Sequence, residues 1–173
     1  TSGGLFRDMM IHDLDMARWL LQADPVAVSA VGSCVVDEAI GEAGDIDTAV
    51  TTLEFDDGTI ATISNSRRTS YGYDQRIELH GSEGMLQAGN VTENTLTVTG
   101  TDGVTGAKPE YFFLERYADA YAAEWDHFVR VLQGECQPSV DTLDGAKALI
   151  LADAAVRALA NGERQEINWQ EVL

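Results

Sequence analysis

Apolar and polar positions follow two periods along this chain, and the changes between them mark its elements. From about Phe6 to Gln22, Met10, Leu14, Ala17 and Leu21 recur at helical spacing. The run stops before Asp24-Pro25, because the residue before a proline resists helical dihedrals. Val26–Val36 is rich in Val, Ala and Ser and reads as a strand, and Gly41–Asp45 follows as a Gly-rich acidic loop. A period of two then predicts strands over Thr48–Phe55 and Thr59–Asn65, joined through the hairpin signal Asp56-Asp57-Gly58. Arg76–His80 and Gly84–Ala88 predict a second hairpin around Gly81-Ser82-Glu83. Thr95–Thr99 predicts a short strand ending in a Gly100–Gly106 surface loop. Helical spacing returns with Tyr117, Tyr121, Phe128, Val131 and Leu132 up to Gly134. A last helix starts from a cap at Asp141 or Thr142, carries Leu143, Leu149, Ile150, Val156 and Leu159, and stops at Asn161-Gly162. Ile167–Leu173 is expected to add a short final strand or to dock loosely.

Strands grouped between helices, several linked by hairpins, predict an α+β fold: an open, largely antiparallel or mixed sheet with helices packed on one face. No linker, repeat or low-complexity segment interrupts the chain, so residues 1–173 are expected to form a single domain. In the strand from Thr48, the positions Thr48, Val50, Thr52 and Glu54 alternate with Ala49, Thr51, Leu53 and Phe55. The resulting mixed Thr and Val face is expected to pack against a second copy, giving a homo-oligomer.

Composition narrows the functional classes. The chain carries 29 acidic and 11 basic residues, a net charge of −18, and no basic run that could release counterions from a phosphate backbone. Nucleic acids and anionic membranes are therefore poor partners. No apolar run approaches the ~20 residues of a membrane span, and no charged-then-apolar leader is seen. Cys34 and Cys136 lie in no metal or redox spacing and are expected to be reduced thiols of a cytoplasmic protein. A chain that opens Thr1-Ser2 is expected to be a processed product or a piece of something longer.

The candidate chemistry lies in the first helix. Asp8, His12 and Asp15, spaced by four and three, share one stripe at about 100° per residue, with Trp19 continuing it. His has an ordinary pKa near neutrality, and a carboxylate one turn away can fix its tautomer and steady its charged form. The same stripe also suits a solvated helix face or part of a metal site, although no further ligand stands at readable spacing. A second cluster, Asn65 through Arg76, is dense in Tyr, Asn, Arg and Gln. It suits a polyhydroxylated ligand, or equally a strand-end loop whose arginines pair with acids of the sheet. No G-x-G-x-x-G after a strand and no G-x-x-x-x-G-K-[ST] loop is found. The same holds for a G-x-S-x-G elbow, H-E-x-x-H or a Cys cluster.

Several stretches carry a resemblance: Gly3-Gly4-Leu5-Phe6-Arg7-Asp8 through His12-Asp13-Leu14-Asp15-Met16-Ala17-Arg18, Gly41-Glu42-Ala43-Gly44-Asp45-Ile46-Asp47-Thr48-Ala49, Ser64-Asn65-Ser66-Arg67-Arg68, Tyr71-Gly72-Tyr73-Asp74-Gln75-Arg76, and Tyr111-Phe112-Phe113-Leu114-Glu115-Arg116-Tyr117. Together they resemble the C-terminal half of the Gfo/Idh/MocA oxidoreductases over essentially the whole chain, and the last two stretches resemble the inositol-acting branch. The resemblance implies a two-part enzyme in which a Rossmann domain holds NAD and this half supplies substrate contacts and forms the oligomer, commonly a tetramer. It implies oxidation of a ring hydroxyl of a polyol such as myo-inositol to a ketone. His12 would be the general base and Asp8 its orienting acid, while Asp15, Tyr71 and Tyr117 would contact the substrate. The same resemblance assigns no cofactor-binding residue and no metal ligand to this chain, and it implies that the chain alone is inactive. A relative acting on another sugar and a non-catalytic binding or assembly module are the competing readings.

Overall fold

The computed structural model describes residues 2–172. A π-helical turn, Phe6–Met10, runs into α1 (Ile11–Leu21), followed by β1 (Ala27–Ser33), α2 (Glu38–Glu42), β2 (Thr48–Glu54) and β3 (Ile60–Ser66). Next come β4 (Ile77–Gly81), β5 (Gly84–Ala88), β6 (Thr97–Gly100), β7 (Gly103–Gly106), α3 (Phe113–Arg116) and α4 (Ala118–Leu132). The chain closes with α5 (Thr142–Asn161), β8 (Gln165–Glu166) and α6 (Trp169–Val172). It forms two compact units, one of residues 1–68 with 139–173 and one of residues 69–138.

The first unit is a four-stranded antiparallel sheet in the order β3-β2-β1-β8, with helices on one face. Its inward rows follow from the register. Val28 opposes Leu53, Ala30 opposes Thr51, and Gly32 opposes Ala49. Of these, Val28, Ala30, Ala49 and Leu53 meet Leu5, Phe6, Met10 and Leu14 of the opening segment and Leu151, Ala152, Ala155 and Ala158 of α5 in one buried cluster. Alanines on the buried side of α5 let its backbone lie close to the sheet, which longer side chains would hold off. The sheet's other face leaves Val31 and Ile60 about two-thirds exposed, at 68% and 67%.

Local signals place the ends of these elements as the sequence predicts. Asp141 caps α5, accepting from the Leu143 and Asp144 amides, while the Asp144 side chain returns the bond to the Asp141 amide. Gly162 ends α5 in the left-handed region at φ 71°. The Asp56-Asp57-Gly58 turn closes the β2–β3 hairpin, with the Phe55 amide donating to the Thr59 carbonyl at 3.0 Å. Both cysteines are free thiols.

Four expectations are corrected. The Gly100–Gly106 segment is not a loop but the turn and second strand of the β6–β7 hairpin, paired from Thr97↔Gly106 to Gly100↔Gly103. Gly100 and Gly103 flank the two-residue turn Thr101-Asp102, and Gly103 takes a φ of +114°, a region that favours glycine. The acidic Gly41–Asp45 loop begins inside a short helix, α2, whose N-cap Asp37 accepts from the Ala39 amide. The C-terminal segment pairs through Gln165–Glu166 instead of from Ile167, and Trp169–Val172 is helical; Leu173 lies outside the described residues. The opening helix begins as a π-turn and not as a regular α-helix.

The second unit contains the hairpins β4–β5 and β6–β7, an isolated bridge Thr92↔Pro109, and helices α3 and α4. Among its described residues none is buried, and the apolar side of α4 leaves Trp125 and Leu132 65% and 71% exposed.

Candidate active site

Two glycines start the helix that carries the predicted proton-transfer pair. Gly3 and Gly4 have φ of +97° and +89°, a region that side chains rarely enter. The Gly4 carbonyl accepts from the Asp8 amide at 2.9 Å, which begins the helical ladder. A Cβ on Gly4 would stand 2.9 Å from Asp45 Oδ1, the atom that accepts the Leu5 amide at 3.1 Å. Gly4→Ala should therefore both strain the backbone and push this carboxylate off the helix start. The expected destabilisation is about 1–3 kcal/mol. An unchanged urea midpoint would refute it.

The π-turn bears on the predicted stripe. In α geometry, four steps of about 100° leave Asp8 and His12 roughly 40° apart around the axis. A widened turn rotates less per residue, and Phe6–Met10 covers part of that path, so the two are drawn toward one line along the helix. Single π-turns of this kind occur often at functional sites. Both side chains lie on the exposed side, while Met10 and Leu14 face the core.

The partners of these residues are set by other elements. Asp8 Oδ2 accepts from Arg67 Nη1 at 3.3 Å, and Arg67 Nη2 donates to Asp45 Oδ2 at 3.2 Å. Among the described residues no side-chain hydrogen bond joins Asp8 to His12. Asp13, next to His12, is the more buried carboxylate. It accepts from Asn65 Nδ2 of β3 at 2.9 Å, and burial raises its pKa although the Asn65 bond and the His12 charge act the other way. Asn65 Oδ1 and Arg67 Nε are buried without a hydrogen-bond partner among the described residues.

Asp15 is engaged elsewhere. Its Oδ1 accepts from Arg18 Nη1 at 2.9 Å, and Arg18, only 9% exposed, also pairs with Asp24 at 2.7 Å and reaches Asp144 at 3.8 Å. Lys147 completes the Asp24 pairing. Asp15, Arg18, Asp24 and Asp144 border a cavity of about 380 Å³ that Trp19 also lines.

Tyr71 and Tyr117 belong to the second unit. The Tyr71 hydroxyl donates to Asp74, which also accepts from Arg76 at 2.7 and 2.8 Å and from Asn90 Nδ2 at 2.8 Å. The Arg76 bonds lead in holding the Asp74 carboxyl down at about 2, and the Asp74 bond in turn raises the Tyr71 hydroxyl. Gly72 lies so close to the Pro109 and Glu110 carbonyls, 2.7 and 2.9 Å from a notional Cβ, that no larger residue fits. Tyr117 stacks edge-on against Tyr73 at 5.7 Å.

Sequence reasoning passed over Asp13, Asp45 and Asp47. Asp47 is fully buried and accepts from the Val35, Val36 and Asp37 amides at 2.7 to 2.9 Å, as well as from the Thr48 hydroxyl. These donors outweigh the cost of burial and hold its carboxyl far below the usual range. Its neighbourhood in the sequence, Gly44-Asp45-Ile46-Asp47, is visible as an acidic cluster, but its partners lie on other segments.

Among the described residues no helix is long and apolar enough to cross a membrane, and no group of three or more His, Cys, Asp or Glu side chains could hold a metal ion.

Comparison with known proteins bears on the same residues. Residues 1–87 match the GFO/IDH/MocA C-terminal domain. The whole chain is 46% identical to the myo-inositol 2-dehydrogenase of Thermotoga maritima, of which it covers 51%. A crystal structure of a myo-inositol dehydrogenase from Corynebacterium glutamicum superposes with a TM-score of 0.90 at 42% identity, over 96% of this chain and 50% of that one. The scyllo-inositol dehydrogenase of Lactobacillus casei, solved with NAD(H) and scyllo-inositol, gives 0.87 at 29% identity over 96% and 49%. The chain spans about half the length of the curated relatives it matches. With the Gly-Gly helix start, the Asp8–His12 helix and strands β1–β3 all lying within the matched region, the chain belongs to the GFO/IDH/MocA C-terminal domain family.

Proposed function

We propose that this chain is the substrate-side half of an NAD-dependent dehydrogenase that oxidises a ring hydroxyl of an inositol or similar polyol to a ketone. The observation that carries the reading is the Asp8–His12 helix, held at its start by the Gly3-Gly4 turn and Asp45, within a chain 46% identical to a myo-inositol 2-dehydrogenase.

His12 is the general base in this reading. One of its ring nitrogens takes the hydroxyl proton as the C–H bond is broken, and Asp8 steadies the imidazolium that results. Asp15, Tyr71 and Tyr117 contact substrate hydroxyls, which both donate and accept hydrogen bonds. NAD, when bound, supplies the hydride acceptor. The residues here fit only one end of that cofactor. A stripe bearing the Asp8 and Asp15 carboxylates suits neutral hydroxyls but repels a pyrophosphate, so the phosphates belong on a Rossmann half. The exposed Val31, Val50 and Ile60 face of the sheet packs against a second copy in a homo-oligomer, and the protein works in the cytoplasm.

The test is turnover. The product of the complete reading frame should reduce NAD when given myo-inositol or another inositol from a panel of polyols, whereas the chain alone should form no NADH above blank. Absence of turnover with every inositol, alongside turnover of another sugar, would move the substrate to that class. Absence with all polyols would favour a non-catalytic module.

A further inference from the structure

Outside the proposed proton-transfer pair, one side chain ties Asp8 itself to the rest of the first unit. Arg67, just beyond the end of β3, donates from Nη1 to Asp8 and from Nη2 to Asp45, at 3.3 and 3.2 Å. Its backbone is itself anchored, since the Arg67 amide donates to the Asp47 carbonyl at 2.9 Å. Asp45 in turn grips the helix start through the Leu5 amide and lies against Gly4, where a methyl group would displace it. A guanidinium is the group that suits this place, because its planar fork can serve two carboxylates at once, whereas an ammonium is a point charge. Arg67 is 23% exposed, so the bridge is shielded in part from the screening that weakens surface ion pairs.

We propose that Arg67 is a positioning residue for the Asp8–His12 pair, and that Asp45 holds Arg67 to that task. This rests on the reading of Asp8 and His12 given above. One oxygen of Asp8 is held by Arg67, which orients the carboxylate and leaves Oδ1 to meet the imidazole as it gains a proton. Without the bridge Asp8 swings among its rotamers, and the charge on His12 is steadied less often when the hydroxyl proton moves.

A double-mutant cycle on the product of the complete reading frame tests this. Arg67→Ala should lower kcat by roughly 10- to 100-fold and change KM for the polyol by less than about threefold, since ordering and not binding is lost. In an Asp8→Asn background, the same substitution should cost less than about twofold, because Arg67 acts through Asp8. Guanidinium chloride at sub-denaturing concentration should restore part of the lost kcat to Arg67→Ala and none to Arg67→Ala/Asp8→Asn. Equal costs in both backgrounds would mean a merely structural role and would overturn the proposal. If Arg67→Ala fails to fold, Arg67→Lys carries the test: it should lose kcat for want of the fork, and wild-type turnover overturns the proposal. In the apo protein the ¹³C carboxyl resonance of Asp8 should move on Arg67→Ala or Arg67→Lys, and a stationary resonance also overturns it. Full activity of Asp8→Asn would instead bring down the underlying reading of the Asp8–His12 pair.

Discussion

His12→Ala is expected to lower kcat for polyol oxidation by about 10² to 10⁴ in the product of the complete reading frame. Hydride can leave a secondary alcohol only as its hydroxyl proton is taken up, so loss of the base acts on the reacting bond. On the proposed reading substrate binding should change much less, because several hydroxyl contacts would hold the polyol and His12 would supply one of them. His12→Asn sharpens the comparison: it keeps a polar group of similar reach but cannot accept and carry the proton, and it should be as slow as the alanine variant. The folded state should be nearly untouched, because His12 is exposed and the helix buries Met10 and Leu14 on its other side. A drop in kcat below about tenfold, with a normal melting curve, would exclude His12 as the base.

The largest expected loss of stability follows Arg18→Ala. Arg18 is 9% exposed and pairs with Asp15 at 2.9 Å and Asp24 at 2.7 Å, with Asp144 at 3.8 Å. Removing it leaves the Asp15, Asp24 and Asp144 carboxylates with only Lys147, on Asp24, to offset them. Because these carboxylates keep some contact with water, the expected cost is about 2–4 kcal/mol, on the low side of that for breaking a fully buried arrangement. The urea midpoint should fall with little change in slope, since the surface exposed on unfolding is nearly the same. A cost below about 1 kcal/mol would show that the cluster behaves as a surface network. Acid should act on the same groups. Burial pushes the Asp24 carboxyl up, but hydrogen bonds from Lys147 and Arg18 more than offset it, and its folded pKa lies below the ordinary 3.8. A depressed carboxylate contributes stability that is full above its unfolded pKa and is lost as pH falls through the folded one. Wild-type stability should therefore decline below about pH 4, and Arg18→Ala should show a shallower decline over the same range. The Arg18 variant also frees Asp15, so a change in KM would link the cluster to substrate binding.

Much of the fold was readable because its signals are local. The Met10, Leu14, Ala17 and Leu21 stripe, the capping box at Asp141, the Gly162 stop and the Asp56-Asp57-Gly58 turn each depend on residues within about one turn of one another. Misreadings fell where local signals compete. Gly100–Gly106 is too rich in glycine to look like the second strand of a hairpin, yet a hairpin tolerates glycine where a helix would not. The π-turn at Phe6–Met10 has no sequence signature of its own, and it alters how Asp8 lines up with His12.

Candidate groups were legible in kind but not in partner. Asp8 and His12 stand out from their spacing alone, whereas the groups that hold Asp8 and Asp13 come from 59 and 52 residues away. Asp15 stands on the stripe and is also tied to Arg18, which follows Met10 and Leu14 at a spacing of four on the buried side but carries a charge there that the apolar pattern does not lead one to expect. Spacing and composition were enough to place an acid, a base and an apolar backing on one helix, because a helix turns by a known angle per residue. Which carboxylate meets which cation was settled only when β3 and α5 came up against that helix. Pairing of that kind depends on atoms brought within about 3 Å by packing, and no sequence interval encodes it.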